Sequence, residues 1–505
     1  MLRPMPQTDR LPHALYRAEQ VRELDRTAIE DHGIPGAELM ERAGRAAYRL
    51  LRERWPDVRH ITILCGTGNN GGDGYVVARL ARGDGLAVRV LQMGDPARLR
   101  GDALTMANAW RAAGGGFEPF QGLPRRTGLI VDAMLGTGLE RDVEGDWARV
   151  VDAVNGHLAP VLAIDIPTGL HADTGRVLGT SVRADATISF IALKQGMFTA
   201  AGPDHCGEIR FDALQVPAVV YSHEILSARR LDWDKQADLM GPRRRDAHKG
   251  DFGHVLVVGG APGFAGAARL AGEGALRAGA GLVTVATHPA HAPYLNAIRP
   301  ELMVHGIDDP SELSVLFERA TVVAVGPGLG TDSWGQRLLE RVLEASRVLV
   351  VDADALNLIA VAPCLRRDDW ILTPHPGEAA RLLGCTSADV QSDRFAAVRR
   401  LQERFGGVAV LKGAGTLVFG PSRKPPGICS QGNPGMAAGG SGDVLTGIVA
   451  ALLAQGLALQ DAAASAVCLH AAAGDAAAVA GERGMLAGDL IEQVRPLLNR
   501  RGAPA

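Results

Sequence analysis

The sequence predicts an α/β protein made of two doubly wound domains. Three observations lead there: short runs rich in β-branched and aliphatic residues alternate with helical periodicity, glycine-rich polar loops follow the runs, and the whole pattern stops once and starts again. At 505 residues the chain exceeds a single hydrophobic core. Two domains are expected, at 1–222 and 223–505.

Ala18 to His32 and Ala37 to Arg54 carry apolar positions at helical spacing, so two amphipathic helices open the chain. Five short runs follow, Ile61 to Leu64, Ala87 to Leu91, Leu129 to Val131, Val161 to Ile164 and Ala186 to Phe190. Helical segments separate them, which implies a parallel sheet covered on both faces, with ligands at the carboxyl ends of the strands. The polar loops lie at those ends: CGTGNNGGDG, DAMLGTGLERD and DIPTGLHADTG. Gly66, Gly68 and Gly71 satisfy GxGxxG, the fingerprint of a hydride-transferring dinucleotide fold. That fingerprint calls for an acid at the end of the second strand, where this chain has Gln92. Asn69, Asn70 and Asp73 instead offer side-chain oxygens for a cation or a hydroxyl. Asp132 and Asp165 stand at strand ends, where an aspartate also serves as an ordinary helix cap.

Between about Val216 and Asp246 no period is sustained, and this is the expected junction. A strand, glycine loop, helix and strand then restart at HVLVVGGAPGFAGAARLAGEGALRAGAGLVTVAT. Buried runs recur in VVAVGPGLG, VLVVDADALN and WILTPHPGE. VAVLKGAGTLVF reads as a strand, a turn and a second strand. GNPGMAAGGSGDVLTG then runs into an apolar helix. Its glycines let backbone N–H groups face inward beside a helix N-terminus, an anion-binding arrangement, and Asp443 sits in the middle of it. A carboxylate beside a bound phosphate suggests a proton acceptor for phosphoryl transfer to a hydroxyl. An aspartate at a helix start is also the commonest simple N-cap.

Composition narrows the partners to small molecules. Net charge is −3 and the longest basic run is Arg243 to Arg245, so no nucleic-acid surface is expected. Six cysteines without CxxC spacing indicate neither a zinc site nor a disulfide framework, and a cytoplasmic setting is expected. The first residues lack the apolar core of a signal peptide. The uncharged stretch Val444 to Gln460 reads as a core helix, so no membrane partner is expected.

The motifs HPGE, KG followed by T, and NPGMAAGGSGDVL resemble the ribokinase-like fold. Within it they are most similar to the dehydratase half of the bifunctional NAD(P)H-hydrate repair enzymes. NNGGDG, DAMLGTGLER and DIPTGLHADTGR resemble the NAD(P)H-hydrate epimerase domain, over roughly residues 20 to 215. The resemblance implies a Rossmann-like three-layer αβα epimerase domain followed by a ribokinase-like dehydratase domain. It implies an isomerase that interconverts the R and S hydrates of NADH and NADPH. It also implies a lyase that restores NAD(P)H from the S form while ADP becomes AMP and phosphate, in a homo-oligomer.

The same resemblance implies the site residues. The hydrate would meet Asn69, Asn70, Gly71, Gly72, Asp73, Gly136, Thr137, Gly138, Leu139, Glu140, Arg141, Asp142 and Asp165 in the first domain, with Asp165 as acid/base. A potassium ion would be held by Asn70, Asp132 and Thr168, the last standing where the family commonly has serine. In the second domain Asp443 would accept the hydroxyl proton. Ala267, Gly328, His375 and Asp443 would contact the hydrate. ADP would lie along Lys412, Gly413, Ala414, Gly415, Thr416, Gly439, Gly440, Ser441 and Gly442, with Mg2+ as phosphate counter-ion. The competing reading is a ribokinase-like vitamin or sugar kinase fused to a regulatory nucleotide-binding domain. Such kinases usually carry NxxE where this chain has His375-Pro-Gly-Glu378.

Overall fold

The computed structural model describes residues 11–362 and 365–499. The chain separates into two compact units, Met1–Arg229 and Arg230–Ala505. The expected junction is not featureless. It holds the strand Ala228–Leu231 and the short helix Trp233–Gln236, elements of four residues each and too short to show a period.

The first unit is built on a seven-stranded sheet. Its order is Glu118–Pro119, Ala87–Gln92, His60–Cys65, Leu129–Ala133, Val161–Ile164, Ala186–Phe190 and Glu208–Asp212, all parallel. The five expected strands form its centre. The two edge strands are polar or only two residues long, so they left no apolar run to read. Successive residues of the central strands face opposite layers: Ile61, Ile63 and Cys65 join one apolar cluster and Leu64 the other, as Leu129, Val131 and Ala133 divide from Ile130. Helices Ala18–Glu30, Gly36–Arg54, Asn69–Gly83 and Gly101–Ala112 cover the first face, and Gly145–Asn155 covers the second. From His60–Cys65 the chain builds outward and then returns to Leu129–Ala133 on the other side. The switch point where such sheets bind ligands therefore lies at the ends of these two strands.

The sheet of the second unit runs Met303–Gly306, Leu282–Thr287, His254–Val258, Val322–Val325, Val348–Val351, Trp370–Leu372 and Val408–Leu411 in parallel. Thr416–Phe419 and Gly427–Cys429 then continue it antiparallel. Its switch point falls between His254–Val258 and Val322–Val325. Two helices cross that region in backbone contact: a side chain on Gly447 would meet the Ala271 carbonyl at 2.0 Å, and one on Gly274 the Val444 carbonyl at 2.8 Å. These are Ala265–Arg277 and Ser441–Ala454. The second is buried along nearly its whole length, as its unbroken apolar sequence requires. Helix Leu459–Ala477 begins a stretch apolar and long enough to cross a membrane, but most of it is buried in this unit's core.

Candidate active sites

In the first unit the loop after His60–Cys65 turns straight into helix Asn69–Gly83, so Asn69 to Asp73 form its first turns. Gly66 and Gly71 allow the tight path. A Cβ on Gly66 would meet the Met134 carbonyl at 2.0 Å, and one on Gly71 the Gly66 carbonyl at 2.1 Å. Gln92 is buried and fully engaged: its amide donates to the carbonyls of Cys65 and Met93 at 3.1 and 2.9 Å, and it accepts from the Tyr75 hydroxyl. The place of the ribose-binding acid is thus filled by a structural hydrogen-bonder.

Asp132 is wholly buried. It accepts from the Thr168 hydroxyl at 2.7 Å and the Thr168 N–H at 2.8 Å, and burial pushes its pKa up to about 6 against those bonds. It caps no helix. Asn70 is buried with both amide atoms lacking a protein partner, a costly state that a ligand would relieve. Gly136 lies against it: a Cβ there would stand 3.4 Å from Asn70 Cβ and 3.4 Å from Asp165 Oδ2. The loop between strand and helix therefore brings Asn70 and Asp165 to one spot. Thr137 and Leu139 are half-buried, while Gly138, Glu140, Arg141 and Asp142 form an exposed rim. A carboxylate, a hydroxyl and a neutral amide oxygen are hard donors of low total charge, which suits an alkali cation better than a divalent one.

Asp165 adopts a left-handed conformation, φ +68°, uncommon for a residue with a side chain. Its carboxylate pairs with the ammonium of Lys194, which is fully buried and also donates to Ser189 Oγ at 2.9 Å. Sequence reasoning missed Lys194. A lone lysine inside the apolar run SFIALKQG was the available signal. Two further acids act on this group. Burial, then Asp165 and Asp25, hold Asp73 well above the usual carboxylate range. Burial and Asp165 raise Asp25 to about 6. The site thus sets carboxyls of raised pKa beside the Asp165–Lys194 pair, an arrangement suited to acid/base work.

In the second unit, Gly440 takes φ +90° as the residue before helix Ser441–Ala454, so it and not Asp443 is the N-cap. Gly439 faces open space. Asp443 lies in the first turn, where burial, reinforced by Asp352, Asp354 and Glu378 and opposed by Lys412, raises its pKa to about 7. Lys412 ties the centre together. Its ammonium stands 2.6 Å from Asp352 Oδ1 and 3.8 Å from Glu378 Oε2. Burial works against its charge, but Asp352 and Glu378 outweigh that and raise its pKa. Asp352 is buried and also accepts from Thr446 Oγ1 at 2.7 Å. A side chain at Gly442 would stand 3.4 Å from Lys412 Nζ, so the glycine loop lies directly on this pair.

His375 caps helix Pro376–Leu383: its Nδ1 accepts from the Gly377 N–H at 2.9 Å, and its own N–H donates to Glu378 Oε2 at 2.7 Å. Burial, then Lys412 and Arg381, lower its pKa, so the half-exposed ring is neutral near pH 7. Burial raises Glu378 to about 6. Gly328, at φ +58°, abuts Ala267 and Phe264: a Cβ would lie 3.1 Å from Ala267 Cβ and 2.7 Å from Phe264 Cβ. Behind the glycine loop, His470 bonds the Ser441 carbonyl at 2.9 Å, and Asp475 accepts from Gly432 N and Asn433 Nδ2 at 3.0 Å each. Asp352 and Phe264 were missed as site residues. Asp352 stands at a strand end in VVDADALN, as Asp132 and Asp165 do in the first unit.

Comparison with known proteins agrees with both halves. The family described as YjeF-related protein N-terminus matches residues 36–196, and NAD(P)H-hydrate dehydratase matches 255–496. A bifunctional NAD(P)H-hydrate repair enzyme from Coxiella burnetii is 48% identical over 96% of this chain and 99% of its own. One from Escherichia coli is 45% identical over 97% and 95%. Among solved structures, a ribokinase-like superfamily protein from Enterococcus faecalis is 32% identical, with TM-score 0.51, over 55% of this chain and 99% of its own. The chain belongs to the family of bifunctional NAD(P)H-hydrate repair enzymes.

Proposed function

We propose that the first unit interconverts the R and S hydrates of NADH and NADPH, and that the second removes the hydroxyl of the S form with conversion of ADP to AMP and phosphate. The observation that carries the reading is Asp443: a carboxyl with a pKa of about 7 in the first turn of a helix, just after Gly439, which faces open space where a phosphate could lie. A base poised near neutrality can take a proton from an alcohol while N–H groups at the helix start and the Lys412 ammonium face the transferring phosphoryl group.

The C6 hydroxyl oxygen attacks the β-phosphorus of ADP, its proton passes to Asp443, and AMP leaves. The lone pair of the ring nitrogen then expels phosphate from C6, and loss of a C5 proton restores the dihydropyridine. Hydroxide is a poor leaving group and phosphate a good one, which is why a nucleotide is consumed. Ala267, Gly328 and His375 would hold the ring. Lys412 to Thr416 and Gly439 to Gly442 would hold the nucleotide. Mg2+ would arrive with the phosphates, in keeping with the absence among the described residues of a group of three or more acidic, histidine or cysteine side chains able to cage a metal.

In the first unit the paired Asp165 and Lys194 would act on the C6 hydroxyl. Asp132, Thr168 and the unpartnered Asn70 amide would hold K+, whose charge orients the substrate. The expected setting is the cytoplasm, consistent with free thiols at Cys65, Cys206, Cys385, Cys429 and Cys468. The test is incubation of the purified protein with a mixture of R and S hydrates of NADH and with ADP. NADH absorbance should appear with equimolar AMP and phosphate. A phosphorylated alcohol without NADH would favour the kinase reading instead.

A further inference from the structure

Arg394 is one of the largest fully buried side chains of the chain, 1% exposed, at the start of helix Arg394–Phe405. Its guanidinium lies under the turn that joins Val408–Leu411 to Thr416–Phe419. Nη2 donates to the carbonyls of Leu411 at 3.2 Å, Lys412 at 3.1 Å and Gly415 at 3.4 Å, while Nη1 donates to Gln391 Oε1 at 2.7 Å. One side chain therefore gathers oxygens from both legs of the turn. Gly413 makes the approach possible: at φ +129°, a Cβ there would press on Arg394 Nη1 at 3.0 Å.

Resting on the reading that Lys412 to Thr416 hold the nucleotide, we propose that Arg394 is a positioning residue for ADP, acting through this turn and not by contact. Two physical consequences support it. In a trans peptide the N–H points opposite to the C=O, so drawing the Lys412 carbonyl down onto Arg394 turns the Gly413 N–H outward, to the side an anion would approach. The Lys412 N–H is already used on the Pro374 carbonyl at 2.9 Å, and Thr416 Oγ1 donates to the Gly413 carbonyl at 3.0 Å, so the turn is held at both ends in that orientation. A full positive charge also lies directly behind the turn, in surroundings of low dielectric, where it favours a multiply charged phosphate in front. Lysine would supply the charge without the planar fork that collects several carbonyls at once.

The experiment is steady-state kinetics of the full chain with the S hydrate and ADP varied independently. Arg394→Met should raise the KM for ADP about tenfold or more, as expected for the loss of several charge-assisted hydrogen bonds, with the KM for the hydrate and kcat at saturating ADP changed by less than about threefold. Arg394→Lys should recover part of the loss. Gln391→Leu, which removes an exposed partner of the guanidinium, should raise only the ADP KM, by about two- to threefold. A cooperative melting transition of the second unit, followed by circular dichroism, together with kcat retained at saturating ADP, reports that each variant is folded. An unchanged ADP KM in Arg394→Lys and Gln391→Leu overturns the inference even if Arg394→Met is insoluble. So does a parallel rise of both KM values, or a fall in kcat alone. A parent protein that consumes no ADP with the hydrate would instead overturn the underlying reading of the turn.

Discussion

Lys412 Nζ stands 2.6 Å from Asp352 Oδ1 across the floor of the second site, joining the end of one strand to the turn after another. That pair decides the charge beside Asp443. Burial, reinforced by Asp352 and opposed by Lys412, holds the pKa of Asp443 at about 7, the range in which a carboxyl can exchange a proton near neutral pH.

Dehydration should accordingly rise as pH increases through about 7, because the active form of Asp443 is the carboxylate. Lys412→Met removes the charge that opposes the raised pKa, so the rising limb should move to higher pH. A pH profile of kcat over KM for the hydrate measures both effects. A flat profile across this range in the parent protein would contradict the assignment.

Asp443→Asn keeps the side-chain size and removes the base. Dehydration should fall by about 10² to 10⁴, with ADP binding retained. Stability should change in the opposite sense. The folded-state pKa lies above the ordinary 3.8, so the group favours the folded state fully below about 3.8 and loses that contribution as pH rises through about 7. At pH 8 the Asn variant should melt at a higher temperature than the parent, and at pH 4 the difference should shrink. Calorimetry at the two pH values checks this.

Thr168→Val keeps the shape but leaves the buried Asp132 without its hydroxyl partner, a loss of roughly 1–3 kcal/mol. Hydrate interconversion should drop and lose any dependence on K+. The rate in KCl compared with a salt of a larger organic cation reads the effect. Activity that keeps its potassium dependence would remove Thr168 from the cation site.

The two units should separate. A fragment beginning at Ala228, which keeps the strand Ala228–Leu231 whole, should fold and dehydrate the S hydrate. Insolubility at that boundary and at neighbouring ones would show that the second unit needs the first.

The strands at the centre of both sheets were legible because each is buried on two faces and so reads as a short apolar run. Edge strands such as Glu118–Pro119 and Glu208–Asp212 were not, since one side of each faces solvent or the element is too short to show a pattern. Candidate site residues carried by loop motifs, such as Asn70 or Asp443, could be proposed from sequence. Lys194, Asp25, Asp352 and Arg394 could not. Each comes from an element whose sequence looks structural, and its role depends on which buried group the fold brings to it: Asp165 for Lys194 and Asp25, Lys412 for Asp352, and three carbonyls of one turn for Arg394.

In the proposed function one chain both epimerises and dehydrates, with Asp165 and its partner Lys194 acting in the first step and Asp443 in the second. The most direct test supplies the R hydrate alone, with ADP, to the parent protein, to Asp165→Asn and to Asp443→Asn, and follows NADH. The parent should convert the R hydrate completely, Asp165→Asn should yield NADH only at the rate of spontaneous epimerisation, and Asp443→Asn should yield none although R and S still interconvert. Conversion of the R hydrate by Asp165→Asn at the parent rate would contradict the proposed function.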